Sequence, residues 1–199
     1  MSNKIKCTVD KLTLAWRNNK EYNCTSVERQ TVYHADVNLT YKGSHKANIA
    51  LNFEYCILNA FPSADSIKKY IPNLTVLFIE KSTLSKITSE DLRGFDSLQD
   101  LYIENCEIEY LPGDLFKHTP NLEVISFRNN KIKYIDEGIF EPLQNLKCFI
   151  LCGNVNIDVR FSSLKKNDDG YVSLEQLKNE IKTKCSRVDL KKVCDEQNK

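Results

Sequence analysis

Four leucines fall at equal intervals through the middle of this chain: Leu74, Leu98, Leu122 and Leu146 are each 24 residues apart. After each of the first three, apolar residues recur three, five, ten and thirteen places on. From Leu74 these are Leu77, Ile79, Leu84 and Ile87; from Leu98 they are Leu101, Ile103, Ile108 and Leu111; from Leu122 they are Ile125, Phe127, Ile132 and Ile135. A fixed period constrains a chain more than composition does. Each unit presents the same apolar face, and only stacking against like units buries it. Within a unit the first apolar places alternate, which reads as a short strand with those side chains inward.

Eight places after each opening stands a turn residue: Ser82, Cys106, Asn130 and Asn154. The backbone there is buried and needs partners; Asn supplies donor and acceptor together, Ser and Cys less completely. Apolar residues return on the convex side at Leu92 and Phe95, Phe116, and Phe140 and Leu143. An earlier unit opens at Asn48, with Leu51, Phe53, Leu58 and Phe61 inward and Cys56 at the turn. The last unit has Phe149, Leu151 and Asn154 and decays at Asn156. This is the pattern of a leucine-rich repeat. The fold expected is an α/β solenoid with a curved parallel β-sheet and an irregular or short-helical convex side. Five repeats span 47–157, between an N-terminal cap over 1–46 and a C-terminal helical cap over 158–199, both caps tied by disulfides.

In the N-terminal cap, Leu12, Leu14 and Trp16 alternate, Arg17-Asn18-Asn19-Lys20 reads as a turn, and Tyr22 and Cys24 follow. The expectation is a hairpin closed by Cys7–Cys24. In the C-terminal cap, Ser173 followed by Gln176 forms a capping box for a helix running to about Cys185, with Leu174, Leu177 and Ile181 facing the last repeat. Residues 165–176 echo a calcium loop, but Lys165 stands at the first ligand place and Gln176 at the last, so no metal is expected.

The chain has eight cysteines. Cys56 and Cys106 sit at turn places two repeats apart, about 10 Å by strand spacing. That is beyond the roughly 7 Å a disulfide tolerates, so both are expected as free buried thiols. Beyond Cys7–Cys24, the four cysteines Cys148, Cys152, Cys185 and Cys194 admit three pairings. Cys152–Cys185 with Cys148–Cys194 is adopted here. Cysteine usage and three sequons, at Asn23, Asn38 and Asn73, point to a secreted, extracellular glycoprotein whose leader has been removed. The net charge of +1 favours neither nucleic acid nor an acidic membrane, and no apolar run is long enough to span a bilayer.

Outward strand places fall into three columns on the concave face. The first reads Ala50, Val76, Asp100, Val124 and Cys148; the second reads Asn52, Phe78, Tyr102, Ser126 and Ile150; the third reads Glu54, Glu80, Glu104, Arg128 and Cys152. Phe78 and Tyr102 are therefore expected as an exposed apolar spot beside an acidic ladder, with Asp100 and Arg128 flanking it. A partner protein with basic and apolar contact residues fits this face. His34, His45 and His118 fall away from the concave strands, no catalytic motif is present, and neither an enzyme nor a cofactor is expected. The alternative is a structural or adhesion module that self-associates through its caps or convex side as a homo-oligomer.

Leu111-Pro112-Gly113-Asp114-Leu115-Phe116 through Pro120-Asn121-Leu122, and Asn129-Asn130-Lys131-Ile132 through Ile139-Phe140, resemble extracellular leucine-rich repeats of the Toll-like type. Tyr22-Asn23-Cys24-Thr25, and Gly43-Ser44-His45 before Ala47-Asn48-Ile49, resemble small secreted leucine-rich repeat proteins of insects. The resemblance implies a secreted recognition protein, in innate immunity or another extracellular role, with no catalytic residues. It departs where a cysteine often follows the last asparagine, for Asn156 stands there.

Overall fold

The structure is a computed structural model. It describes the backbone of residues 12–15, 21–28, 31–32, 50–163 and 170–186, and side chains from 50–163 and 170–186. The repeats fold as their spacing requires. Strands β4 (Ala50–Glu54), β6 (Val76–Glu80), β7 (Asp100–Glu104), β9 (Val124–Ser126) and β11 (Cys148–Ile150) lie side by side. They pair in parallel with no slip, Leu51 to Leu77 to Leu101 to Ile125 to Phe149. A slip of one residue would turn every inward leucine to the other face.

The sheet reaches further at both ends. In the N-terminal region β1 (Leu12–Ala15) and β2 (Glu21–Glu28) form the antiparallel hairpin expected there. β2 also pairs in parallel with β4, placing Cys24 opposite Ala50 and Glu28 opposite Glu54. β3 (Thr31–Val32) pairs with β5 (Ile57–Leu58) in the same sense. Backbone pairing of the repeat type therefore starts upstream of residue 47. The spacing explains it: Tyr22 to Asn48 and Asn48 to Leu74 are both 26 residues. At the other end β12 (Arg160–Ser162) joins β11 antiparallel, and β13 (Tyr171–Val172) adds beside it. Among the described residues these make one nine-stranded sheet. The connections carry a short helix, α1 (Ala64–Lys68), a 3-10 turn at Ser89–Leu92, and a small parallel pair, β8 (Tyr110–Leu111) with β10 (Tyr134–Ile135).

One core lies behind the sheet. Leu77, Leu101, Ile125 and Phe149 meet Phe95, Phe116 and Leu115 from the convex side, all essentially inaccessible. Helix α2 (Leu174–Lys184) closes its C-terminal end, with Leu177 and Ile181 buried. Ser173 Oγ accepts from Gln176 N–H, and Gln176 Oε1 accepts from Ser173 N–H, the capping box read from the sequence.

Each repeat turns through one left-handed residue: Tyr55, Lys81, Asn105, Asn129 and Gly153 all have positive φ. Four amides of this column donate to the next strand's end: Tyr55 to Glu80 O, Lys81 to Glu104 O, Asn105 to Arg128 O, and Asn129 to Cys152 O. Beside them runs the turn ladder. Asn130 Oδ1 accepts from Ile108 N–H at 3.1 Å, and its Nδ2 donates to Ile103 O at 2.7 Å. Asn154 repeats this with Ile132 N–H and Phe127 O. Ser82 Oγ accepts from Cys56 N–H and donates to Glu80 O. Cys106 Sγ donates to carbonyls, Glu104 O at 3.3 Å and Ile79 O at 3.6 Å, and has a backbone hydrogen bond with Ser82.

Cys56 and Cys106 are buried thiols. Burial pushes the Cys106 thiol up to about 11. The expected Cys152–Cys185 bridge is not formed, because both residues are thiols. Cys185 ends α2 and fills the core, and its carbonyl accepts from Ile135 N–H. Cys152 lies just past β11, half-buried and in the field of Asp158, Arg160 and Arg128. The other expected bridge, Cys148–Cys194, involves Cys194, which lies outside the described residues. The side chains of Cys7, Cys24 and Cys194, the sequons at Asn23 and Asn38, and the loop at 164–169 lie outside the described residues.

Candidate functional site

The concave columns stand in the expected register. Asn52, Phe78 and Tyr102 oppose one another across β4, β6 and β7, and Glu54, Glu80 and Glu104 do the same two residues on. β2 brings Glu28 into line with Glu54, so the acidic column has a further backbone position that sequence reading missed. The signal was the repeated 26-residue step, obscured because Thr25 takes the place of an inward leucine.

The exposure of the aromatic pair is a correction. Phe78 is 3% and Tyr102 4% exposed, and Asp100 is buried with them. The rings do not stand up into solvent. They lie flat on one another, centroids 4.6 Å apart and planes within 11°, and form a second apolar cluster with Ala50, Val76 and Val124. Outward places on a strand are not all solvated: aromatics that stack across a strand pair bury their faces on each other and on β-branched neighbours.

What remains accessible is the edge of the face. Glu54, Glu80 and Glu104 are partly exposed, Lys81, Asn105, Arg128 and Asn129 are exposed, and Tyr55 is 50% exposed. Lys81 Nζ donates to Glu54 Oε1 at 2.7 Å and sits 4.8 Å above the Tyr55 ring centroid. The bond to Glu54, more than any other contact, raises the Lys81 pKa. Ser126 Oγ donates to Glu104, and Asn129 Nδ2 donates to Asn105 Oδ1. Glu80 sits between two like charges. Burial, then Glu104 and Glu54, hold its carboxyl above the usual carboxylate range, against the pull of Lys81. Tyr55 and Lys81 were not singled out from the sequence; their column, one place past the glutamates, is the left-handed turn.

Two other features stand away from this edge. On the convex side Glu90 binds Arg93 and Lys117, which lower its pKa to about 2, and His118 lies nearby. A groove of about 420 Å³ runs between α2 and the loop at 136–144, floored by Ile139, Phe140 and Ile181 and flanked by Lys178 and Lys182. No helix among the described residues is long and apolar enough to cross a membrane.

Residues 96–155 match the leucine-rich repeat family model. A comparison with curated proteins returns no match. Among solved structures, the chain is similar to one in the glycosylated Toll–Spatzle complex of Drosophila, at 23% identity and a TM-score of 0.50, covering 57% of this chain and 15% of that one. A second structure of that complex gives 22% identity and a TM-score of 0.50, covering 60% and 16%. A chain of the TLR13–ssRNA13 complex gives 23% identity and a TM-score of 0.45, covering 54% and 18%. The protein thus spans about one-sixth of the length of the Toll–Spatzle chains it matches. The strand register, the family-model match over 96–155 and the likeness to the Toll–Spatzle chains identify the fold as a leucine-rich repeat solenoid.

Proposed function

We propose that this protein is a secreted, extracellular recognition module that binds another protein along the acidic edge of its concave sheet. The observation that carries this is the in-register row Glu54, Glu80 and Glu104, partly exposed beside Tyr55. Three carboxylates at one level on adjacent strands repel one another, a cost that Lys81 at Glu54 and Ser126 at Glu104 offset only at the two ends of the row. It does build a negative potential that guides a basic surface onto a rigid sheet. Tyr55 and Ile57, both exposed, offer apolar contact at the same end. The similar fold in the Toll–Spatzle structures occurs in a complex, which fits this reading. An open sheet edge without a cleft suits binding better than catalysis.

The test is capture from the source's extracellular fluid by the wild-type protein and by a variant carrying Glu54→Lys, Glu80→Lys and Glu104→Lys. A partner should be held by the wild type, released by salt, and lost on reversal of the row. Capture unchanged by the reversal removes the edge from consideration. The extracellular setting is checked separately. Asn73 is an exposed sequon asparagine. Protein secreted from eukaryotic cells should shift in gel mobility on glycan removal, and Asn73→Gln should reduce that shift.

A further inference from the structure

We propose that the centre of this edge, Glu80 with Asn52, is a seat for one guanidinium group, so that the partner's key contact is an arginine. The seat presupposes the recognition edge proposed above and names the group that fills it. The three glutamates are not equivalent. Glu54 receives a hydrogen bond from Lys81 and Glu104 one from Ser126. Among the described residues no side chain donates to the Glu80 carboxylate; Lys81, whose charge acts on it, is bonded to Glu54.

Asn52 supplies an independent sign. It is 4% exposed, and its Oδ1 is buried without a hydrogen-bond donor. Buried polar atoms are nearly always satisfied, so an orphan needs a reason. Asn52 opposes Phe78, and Glu54 opposes Glu80, so Asn52 and Glu80 are diagonal neighbours on the same face of β4 and β6. Both unmet groups are acceptors, and one carries charge. The missing piece is therefore a donor-rich cation.

Its shape follows from the spacing. Diagonal positions on adjacent strands lie about 7–8 Å apart at Cα and closer at the side chains. A guanidinium is a rigid plane with five N–H groups pointing outward, and it can bond two separated acceptors at once. An ammonium is a compact point charge and satisfies one well. A metal ion fits poorly, for among the described residues no three His, Cys, Asp or Glu side chains converge as ligands would. The Phe78–Tyr102 stack beside the seat keeps that side dry, which strengthens a charged hydrogen bond made there. Burial first, then Glu104 and Glu54, disfavour the charged form of Glu80, and a guanidinium seated there would favour it.

Isotope-labelled protein should be titrated with N-acetyl-arginine methylamide and, separately, N-acetyl-lysine methylamide, followed by NMR. Saturable shifts are expected at Asn52 and Glu80 with the arginine probe, at least threefold tighter than with lysine. Glu80→Gln should weaken the arginine probe at least fivefold. Asn52→Leu should erase the preference for arginine and leave lysine binding where it was, a split that general loss of structure would not give. Glu80→Gln is nearly isosteric and keeps the test valid if Asn52→Leu folds poorly. Equal binding of both probes, no response at these residues, or an unchanged constant in Glu80→Gln overturns the seat. If the seat fails while charge reversal of the row still releases the partner, the recognition edge stands without it. If arginine binds here while the reversed row keeps its partner, the edge reading falls alone.

Discussion

On strand β7, Leu101 and Ile103 point into the main core, whereas Asp100, Tyr102 and Glu104 face the other way. Every neighbouring strand repeats the first arrangement with Leu, Ile or Phe. The second changes from strand to strand: the middle column runs Asn52, Phe78, Tyr102, Ser126. Stacking dictates the inward residues, since each must fill the same space between the same neighbours. It leaves the concave residues free to differ. There, among the described residues, lie a small apolar cluster, a buried acceptor without a donor, and a row of like charges. None of these follows from the solenoid, and that difference is what supports the proposal of recognition on the concave side.

Substitutions can break this contrast, and the largest effect should come from the inward face. Leu101→Ala removes a fully buried side chain from a core closed on every side and should cost about 4 kcal/mol in chemical denaturation. Tyr102→Ala should cost about 2 kcal/mol, because a cavity on the concave side can fill with water or relax. A Tyr102 loss as large as that of Leu101 would mean the concave cluster is as structural as the core. The turn ladder gives the next step. Cys106→Asn adds the amide that Asn130 uses one repeat later, and should raise stability by about 1 kcal/mol. Destabilisation instead would show that the sulfur's packing matters more than hydrogen bonds there.

The smallest effect concerns Glu80 and pH. Its folded pKa is raised, so above the ordinary value of 4.5 the folded state holds a proton the unfolded chain has released. Stability associated with this group is therefore present at acid pH and falls as pH rises through the folded pKa. Glu80→Gln should abolish that fall and make the protein slightly more stable than wild type at pH 7, as read by Tm across a pH series. An Arg ligand should reverse the sign of the slope, because it favours the charged form.

Much of this was legible from spacing alone. The inward residues, the asparagine turns and the Ser173–Gln176 cap each follow from a local rule that burial or an unsatisfied amide enforces. The buried state of Phe78 and Tyr102 was not legible, since period two reports which face a residue takes and not whether that face is wet. The upstream strand was hidden because Thr25 and Val27 are weak stand-ins for Leu51 and Phe53 in the same register. β12 escaped notice because the repeat period ends at Asn156, although Val159 and Phe161 alternate with polar residues. Cys185 looked like half of a bridge and is core filling, a choice that depends on where α2 docks.

The central claim is that the edge of the concave sheet, and not the aromatic cluster behind it or the convex side, meets the partner. Hydrogen exchange of the protein alone and with its captured partner tests this directly. The account predicts added protection at Glu54–Tyr55, Glu80–Lys81, Glu104–Asn105 and Arg128–Asn129, with the loop at 136–144 and α2 unchanged. Protection confined to that loop and helix, where the groove over Phe140 and Ile181 lies, would contradict it.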